Sequence, residues 1–230
     1  MMAAVAAREL ADGEVVFVGI GLPNLACNLA RRTHAPNLVL IYESGAIGAT
    51  PSRLPVSIGD PALVTGSLMV CGMADVFQLF LQNGRIEVGF LGGAQVDRYA
   101  NINTTVIGEY AKPKVRLPGS GGAAEIALHA QRVLIVSKLS PRAFPERVDF
   151  VTSSGQRVTR VITDKGILER DAANGELVLA ALYPGVDAAD LEVGWKLRAG
   201  ARVARVDPPT PVELQLLRDV LDPQRLYLTS

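Results

Sequence analysis

The sequence contains few residues of the kinds that build metal sites, catalytic triads or nucleic-acid surfaces. Its 230 residues include one Trp and two His, with aromatic residues at only 5%. His34 and His129 each lie late in a predicted helix, so they offer little material for a metal site or a Ser/His triad. The 23 basic side chains balance 23 acidic ones, whereas a nucleic-acid or anionic-membrane partner would call for a basic excess. We therefore expect a small-molecule substrate, with no nucleic acid and no membrane as partner.

Cysteine is equally scarce, and neither cysteine lies at a spacing typical of a metal site or a disulfide framework. Cys27 and Cys71 lie in apolar stretches without an evident activating cation, so we expect both to be packing residues in a reducing compartment. Residues 1–7 lack a positively charged region and are followed by Arg8, which argues against a signal peptide or a membrane span. The sequence therefore predicts a cytoplasmic protein.

Two apolar runs near the N-terminus flank a segment with helical spacing. Residues 14–20 and 38–42 have the composition of strands buried on both faces, and residues 24–34 carry apolar side chains at helical intervals. Strand, helix, strand predicts a βαβ unit with parallel strands and a right-handed crossover. The fold class is therefore α/β, an open and mostly parallel sheet flanked by helices.

The same alternation continues along the chain and then gives way to strands. Helices are predicted at 3–11, 74–81 and 123–130, strands at 86–91 and 132–137, and hairpins or irregular extensions at 92–118. Strands predicted at 148–152, 158–163, 166–168 and 176–182 indicate a β-rich C-terminal layer. Thr210, Pro211 and Glu213 form a capping box that opens a last helix, which ends at Asp222. No linker or repeat interrupts the chain, so we expect residues 1–230 to form a single domain.

One loop with a candidate task follows the second strand. Glu43 lies at the C-terminal end of that strand, where ligand crevices of open α/β sheets are found, and Ser44 and Gly45 continue it as a turn. A carboxylate there could bind a ribose, act as a base, act as a nucleophile, or simply be solvated. Residues 44–60 have no clear period, and so long a Gly- and Pro-rich stretch predicts a loop that covers a functional site.

The ribose interpretation rests on part of a dinucleotide-binding fingerprint. Gly19 and Gly21 follow the first strand, and an acid lies about 20 residues further on. The third glycine position is occupied by Asn24, and Pro23 interrupts the turn. Two glycines and an acid are weak evidence for a dinucleotide site.

A second glycine-rich loop, residues 118–122, precedes a predicted helix. Its backbone N–H groups could face an anion or a developing oxyanion, or the glycines could simply supply the positive φ angles of a tight turn. No Lys-Ser/Thr pair follows, so the loop is not a P-loop.

Four motifs occur in one order along the chain. They are Phe-Val-Gly-Ile-Gly-Leu-Pro at 17–23, Leu-Ile-Tyr-Glu-Ser-Gly at 40–45, Phe-Leu-Gly-Gly-Ala-Gln-Val-Asp at 90–97 and Lys-Pro-Lys-Val-Arg-Leu-Pro-Gly-Ser-Gly-Gly at 112–122. As a set they resemble the β subunit of class I coenzyme A transferases, nearest to the glutaconate and 3-oxoadipate branch. The likeness covers nearly the whole chain, including residues 163–166 and 183–185.

The resemblance implies a coenzyme A transferase fold in which an α and a β subunit together form the active site, as an αβ, α2β2 or larger hetero-oligomer. It identifies Glu43 with the family's nucleophilic glutamate, which forms an acyl-glutamyl anhydride and then a glutamyl-CoA thioester. Coenzyme A thioesters would be substrates, with no tightly bound cofactor and no metal. Our expected backbone donors near the thioester or the CoA chain are Gly119, Gly121 and Gly122, and the expected border of the same pocket is Gly93, Ala94 and Gln95.

The branch suggests succinyl-CoA or acetyl-CoA as the donor and 3-oxoadipate or glutaconate as the acceptor, with Arg53 or Arg116 holding a distal carboxylate. Residues 153–162 form a shorter segment than in glutaconate enzymes. The alternatives are a CoA-dependent hydrolase or decarboxylase on the same scaffold, a dinucleotide-binding oxidoreductase subunit, and a non-catalytic partner subunit. Relatives that have lost the glutamate have become a decarboxylase or a ring-opening hydrolase, and this chain keeps it.

Overall fold

The computed structural model describes residues 1–228, and contacts between Cα atoms divide the chain into two units. Unit 1 comprises Met1–Phe90, His129–Gln131 and the chain from Pro209 onward, and unit 2 comprises Leu91–Leu128 and Arg132–Pro208. Each unit has its own strands and its own buried apolar residues. The single domain expected from the sequence stays a prediction.

The helices and strands have the following bounds. The helices are α1 (Met2–Arg8), α2 (Leu22–Arg31), α3 (Met73–Asp75, continued by wider π-helical turns over Val76–Leu81), α4 (Ala123–His129) and α5 (Pro211–Gln215, continued in the same way over Leu216–Leu221). The strands of the first half are β1 (Val15–Phe17), β2 (Val39–Ile41), β3 (Ala46–Ile47), β4 (Met69–Val70) and β5 (Val88–Leu91). The remaining strands are β6 (Gln95–Val96), β7 (Ile102–Asn103), β8 (Val106–Gly108), β9 (Pro113–Arg116), β10 (Arg132–Val136), β11 (Val158–Ile162), β12 (Gly166–Arg170), β13 (Leu177–Leu182) and β14 (Arg198–Arg205).

The βαβ unit predicted near the N-terminus forms the centre of unit 1. β1 pairs in parallel with β2 on one side and with β5 on the other, and α2 connects β1 to β2. Both β1 and β2 are mostly buried, as their continuous apolar composition requires. The parallel βαβ prediction and the α/β fold class are confirmed.

Two short antiparallel strands extend unit 1 beyond β2. β3 pairs with β2, and β4 pairs with β3, so the strand order is β5-β1-β2-β3-β4. The prediction of an irregular loop over residues 44–60 is therefore wrong at its start, where β3 lies. A strand of two residues is too short to show a period of two in the sequence.

Helices α1, α2 and α5 lie together in unit 1. α1 contacts α2, and the π-helical part of α5 contacts α2 as well. The capping box that begins α5 is present: the Thr210 hydroxyl accepts from the Glu213 N–H at 3.2 Å, and the Glu213 carboxylate accepts from the Thr210 N–H at 2.7 Å. The predicted start and end of the last helix are confirmed, since its helical turns stop at Leu221.

Unit 2 contains the β-rich C-terminal layer. Its main strands follow the order β10-β11-β12-β13-β14, with parallel pairs at the two ends and antiparallel pairs in between. Two hairpins, β6 with β7 and β8 with β9, confirm the hairpins predicted for residues 92–118. The strand predicted at 148–152 is wrong, because these residues form no strand. The nearest pairing is a single bridge between Ser153 and Ile102. β14, at the edge, is a strand that the sequence does not predict.

Candidate active site

Glu43 lies at the tip of a tight turn that joins β2 to β3 in unit 1. The Gly45 N–H donates to the Tyr42 carbonyl at 2.9 Å, so Glu43 and Ser44 are the two central residues of the turn. The Tyr42 N–H donates to the Ala46 carbonyl at 3.0 Å, which closes the hairpin below it. Glu43 is half-buried and Ser44 is exposed. The predicted nucleophile is therefore presented at the end of a buried strand, as its position in the sequence suggests.

Gly45 fixes this turn against the edge of the sheet. Its φ angle is +101°, a conformation that favours glycine, and a Cβ atom there would lie 1.9 Å from the Cys71 carbonyl oxygen. The Cys71 N–H in turn donates to the Gly45 carbonyl at 3.1 Å. Only glycine allows the chain after β4 to approach so closely, and this contact holds the Glu43 turn from its far side.

Tyr42, next to the candidate nucleophile, is fixed from the other side by α2. Its hydroxyl donates to Asn24 Oδ1 at 3.0 Å, and Asn28 Nδ2 donates to the same oxygen at 2.7 Å. Tyr42 and Asn24 are fully buried. Asn24 Nδ2 is also buried and has no hydrogen-bond partner within residues 1–228. The position where a dinucleotide fingerprint would have its third glycine thus carries a buried amide that holds Tyr42.

Burial determines the ionisation of the groups beneath the turn. Removal from water raises the pKa of the Tyr42 phenol well above its usual value, and it raises the pKa of the buried Cys27 thiol in the same direction. Cys27 is therefore a neutral packing residue, as predicted. Cys71 is partly buried, and its pKa is raised first by burial and then by the Asp75 carboxylate.

The Glu43 carboxylate differs from the buried carboxylates of the chain in its lack of partners. It has no hydrogen bond and no ion pair with any residue from 1 to 228. Asp97, by contrast, accepts from two backbone N–H groups and from Asn101 Nδ2, and Asp222 accepts from three backbone N–H groups. A half-buried carboxylate on a rigid turn with both oxygens available can act as a nucleophile or a base.

The other six predicted site residues lie in unit 2, and three of them, Gly93, Ala94 and Gln95, lie in or beside the β6–β7 hairpin. A Cβ atom on Gly93 would lie 2.3 Å from Ile102 Cγ2, and the Ala94 N–H donates to the Asn103 carbonyl at 3.0 Å. The Gln95 amide oxygen accepts from Asn103 Nδ2 at 2.7 Å and from the Asp149 N–H at 3.0 Å. These contacts build the β6–β7 hairpin, and the place of the three residues beside a ligand stays a prediction.

The glycine-rich loop before α4 has one engaged and two available N–H groups. The Gly119 N–H donates to the Thr104 carbonyl at 2.8 Å, so it is already used within unit 2. The N–H groups of Gly121 and Gly122 have no hydrogen-bond partner among the described residues. Gly119 and Gly121 both have positive φ angles, as a tight turn requires. If this loop donates to an oxyanion, Gly121 and Gly122 are the residues that can do so without breaking a bond.

The two arginines considered for a distal carboxylate are also engaged within the chain. The Arg53 guanidinium makes a two-pronged contact with Asp60, at 2.7 and 2.9 Å, and holds the pKa of Asp60 well below its usual range. The Arg116 guanidinium lies 4.8 Å from the centre of the Tyr110 ring and donates to the Tyr110 carbonyl. A role for either in holding a substrate stays a prediction.

The structure adds two residues that sequence reasoning does not include in the site. In the sequence, Asn24 is noted only because it occupies the position where the dinucleotide fingerprint has a glycine. A polar residue among the apolar positions of a helix is nevertheless a signal of a specific buried contact. Cys71 is predicted only as a packing residue, and nothing in the sequence indicates its backbone contact with Gly45. In residues 1–228 no group of acidic, His and Cys side chains could hold a metal ion, and no helix is both long and apolar enough to cross a bilayer.

Comparison with known proteins places this chain and its fold in a family. The family model described as coenzyme A transferase matches residues 1–192. The chain is 48% identical to the B subunit of 3-oxoadipate CoA-transferase from Pseudomonas knackmussii, over 95% of this chain and 90% of that one. It is 32% identical to the B subunit of glutaconate CoA-transferase from Acidaminococcus fermentans, over 99% of this chain and 93% of that one.

Solved structures agree with the sequence comparison. The crystal structure of glutaconate coenzyme A-transferase from Acidaminococcus fermentans superposes with a TM-score of 0.93 at 30% identity, covering 100% of this chain and 96% of that one. The decarboxylase AibA/AibB superposes with a TM-score of 0.89 at 27% identity, covering 98% and 95%. The dinucleotide-binding alternative raised by Gly19 and Gly21 is not supported by these matches. The chain belongs to the class I coenzyme A transferases and is a β subunit of the 3-oxoadipate and glutaconate type.

Proposed function

We propose that this chain works with an α subunit as a CoA-transferase in which Glu43 is the nucleophile. The single observation that carries the proposal is the Glu43 carboxylate itself, half-buried and unpartnered among residues 1–228 at the tip of a turn fixed by Gly45. Most acids whose charge serves the fold have hydrogen bonds or ion pairs, whereas a nucleophile needs an oxygen free to attack. Fixing the turn lowers the entropy lost when that oxygen reaches the substrate.

In the proposed reaction, each bond that forms is matched by a bond that breaks. The Glu43 carboxylate attacks the thioester carbonyl of the donor acyl-CoA, the C–S bond breaks, and an acyl-glutamyl anhydride and CoA thiolate form. The thiolate attacks the glutamyl carbonyl, which releases the donor acid and leaves a glutamyl-CoA thioester. The acceptor carboxylate attacks this thioester and reverses the two steps, so that acyl-CoA leaves and the Glu43 carboxylate is restored. Two covalent intermediates predict ping-pong kinetics.

The substrate pair is proposed from the relatives. A protein 48% identical to this chain is named for 3-oxoadipate, and one 32% identical is named for glutaconate. We therefore favour 3-oxoadipate over glutaconate as the acceptor, with succinyl-CoA or acetyl-CoA as the donor. The CoA thioesters act as substrates, and no further cofactor takes part in the steps above.

The test is chemical trapping of the glutamyl-CoA thioester on the reconstituted two-subunit enzyme. After incubation with succinyl-CoA, borohydride should reduce the thioester, inactivate the enzyme and change the mass of the peptide that contains Glu43. Glu43→Ala should lose transferase activity by at least about a thousandfold and should give no labelled peptide, since covalent catalysis is removed. Glu192→Gln, which alters an exposed glutamate of unit 2, is the matched control and should keep both activity and labelling.

Two results would contradict the proposal. Near wild-type transfer by Glu43→Ala would show that another group is the nucleophile. Release of free CoA or CO2 by the wild-type enzyme without an acceptor would instead favour a hydrolase or a decarboxylase, as the likeness to the decarboxylase AibA/AibB allows.

A further inference from the structure

A long loop connects the two short strands that lie beside the turn carrying Glu43. Residues 48–68 join β3 to β4, two strands of two residues each, and we call them the β3–β4 loop. Fixing so long a connection costs conformational entropy, and a pair this short contributes few hydrogen bonds in return. The contact from Cys71 to Gly45, which holds the turn, therefore depends on whatever keeps this loop in one conformation.

Asp60 fixes the interior of the β3–β4 loop. Its carboxylate is buried and accepts from both terminal nitrogens of Arg53, and from the N–H groups of Val56 and Ala62 at 3.0 and 2.9 Å. The last of these bonds caps a short 3₁₀ helix, Pro61–Val64, which contacts β3. Asp60 thus connects the outer part of the loop to β3.

The β3–β4 loop is also held from outside, by residues 222–228 of unit 1. Asp222 is buried and folds this segment back on itself by accepting from three backbone N–H groups, those of Leu226, Tyr227 and Leu228. The Tyr227 hydroxyl then donates to the Pro55 carbonyl at 2.8 Å. Among residues 1–228, this is the one hydrogen bond that joins the 222–228 segment to the loop.

The packing around this hydrogen bond is open, so the hydroxyl contributes much of the connection. A cavity of about 380 Å³ lies between the two segments, and the apolar side chains Val56 and Leu226 on its two sides are 61% and 53% exposed. Apolar groups separated by such a gap gain little dispersion energy from each other. Burial, and then the carboxylates of Asp222 and Asp60, raise the pKa of Tyr227, so the phenol remains a donor at neutral pH.

We propose that Tyr227 is a positioning residue, whose bond to Pro55 holds the β3–β4 loop and, through it, the turn that carries Glu43. Tyr227 touches no reacting group in this account. It lowers the number of conformations open to the loop, and that favours the pairing of β3 with β4 and the contact from Cys71 to Gly45. The coupling itself does not depend on the reaction, whereas its effect on the rate rests on the proposed function.

Hydrogen exchange in the full chain tests the coupling. Tyr227→Phe removes one hydroxyl and keeps the ring, so the circular dichroism spectrum should be unchanged. The Leu68 and Cys71 amides, which donate to the chain at and beside β3, should exchange with deuterium about fivefold faster, because loss of one hydrogen bond makes opening of the loop more frequent. Asp219→Asn alters an exposed carboxylate of unit 1 and is the control, with exchange as in wild type.

A second variant acts on the same loop from its interior. Asp60→Asn should accelerate exchange at Leu68 and Cys71 as well, and the double variant with Tyr227→Phe should show less than the product of the two effects, since both act through one loop. Faster exchange confined to residues 51–58, unchanged exchange at Leu68 and Cys71, or effects that simply multiply would overturn the inference.

Steady-state kinetics of the reconstituted two-subunit enzyme test the consequence for the reaction. In Tyr227→Phe, kcat should fall by about threefold while KM for succinyl-CoA is unchanged, because the nucleophile is less often in place and substrate binding is not altered. An unchanged kcat, or a change in KM alone, would contradict the positioning role.

These outcomes are separable from failure of the proposed function. A wild-type pair that transfers no CoA would contradict the function, yet the exchange experiment uses no substrate and would still decide the coupling. A pair that transfers CoA, with exchange at Leu68 and Cys71 unaffected by Tyr227→Phe, would contradict the positioning role and leave the function intact.

Discussion

At the scale of single residues, the candidate site includes two buried polar side chains, Asn24 and Tyr42, next to Glu43. Asn24 Oδ1 accepts hydrogen bonds from both Tyr42 and Asn28. A small polar network therefore lies directly beside the turn that carries Glu43. Polar networks in a core fix one arrangement of the chain, because any other arrangement leaves buried groups unpaired.

The buried Tyr42 phenol predicts a specific loss of stability in alkaline solution. Its folded-state pKa is raised by burial, so above about pH 10 the unfolded chain releases this proton while the folded chain keeps it. Stability is then lost as pH rises, by about 1.4 kcal/mol per pH unit from this group. Tyr42→Phe should lose about 1 kcal/mol at pH 7, where a hydrogen bond is removed, and should show a shallower decline above pH 10.

Urea unfolding at several pH values between 7 and 11 measures both effects. Tyr110→Phe removes an exposed phenol and serves as the control. A decline of the same slope in wild type and Tyr42→Phe would mean that Tyr42 is not held neutral in the folded protein.

At the scale of elements, long apolar runs are predictable and short pairings are not. The parallel β1–α2–β2 unit is evident in the sequence because each strand is a continuous buried run and the helix has a clear period. β3 and β4 have two residues each, and their existence depends on the pairing of β3 with β2 and of β4 with β3 rather than on their own composition. β14 escapes prediction because Arg198, Arg202 and Arg205 stand among mostly small residues, so that it lacks the apolar alternation of a half-buried strand.

The candidate site likewise has features that the sequence predicts and features that it does not. The place of Glu43 follows from the end of a buried strand, and its role is suggested by the motif around it. The contacts from Asn24 to Tyr42 and from Cys71 to Gly45 join residues 18 and 26 positions apart, and no local pattern specifies such pairs. The engagement of the Gly119 N–H by Thr104 is likewise a contact between segments, which is why the sequence cannot separate Gly119 from the two glycines that follow it.

The turn between β2 and β3 lies against the chain just after β4, so we expect that only glycine fits at position 45. Gly45→Ala requires a positive φ and places Cβ against the Cys71 carbonyl oxygen, which cannot move without displacing β4. We expect a loss of about 3 kcal/mol or more in the free energy of unfolding. Gly84→Ala is the control: it has a φ of +68° but nothing within 4 Å of the added Cβ, so it should cost only about 1 kcal/mol.

Chemical denaturation of the two variants provides the comparison. Equal costs would indicate that only the backbone angle matters at Gly45 and that the contact with Cys71 is easily relaxed. A larger cost at Gly45, together with reduced transferase activity in the assembled enzyme, would support the view that this contact fixes the turn that carries Glu43.

At the scale of the whole molecule, the chain corresponds in length to one subunit of the relatives that it matches. The family match covers residues 1–192, and the chain spans 90% of the 3-oxoadipate relative and 93% of the glutaconate relative. Substrate choice is therefore a property to be measured on the pair and not on the chain alone.

For that pair we expect 3-oxoadipate to be the better acceptor. With succinyl-CoA as donor, kcat/KM for 3-oxoadipate should exceed that for glutaconate by roughly tenfold or more, since a site that hydrogen-bonds a keto group leaves its own polar groups unpaired with an acid that lacks it. A panel of mono- and dicarboxylic acids assayed by initial rates makes the comparison. Arg53→Ala and Arg116→Ala report on the distal carboxylate, and unchanged discrimination in both would exclude these two arginines from that role.

The uncharged edge of β4 also has a consequence for the cell that makes this protein. The chain alone exposes a strand edge and a group of apolar side chains, and residues 61–74 carry no charge that would discourage other copies from pairing there. We therefore expect the chain expressed by itself to self-associate more readily as its concentration rises.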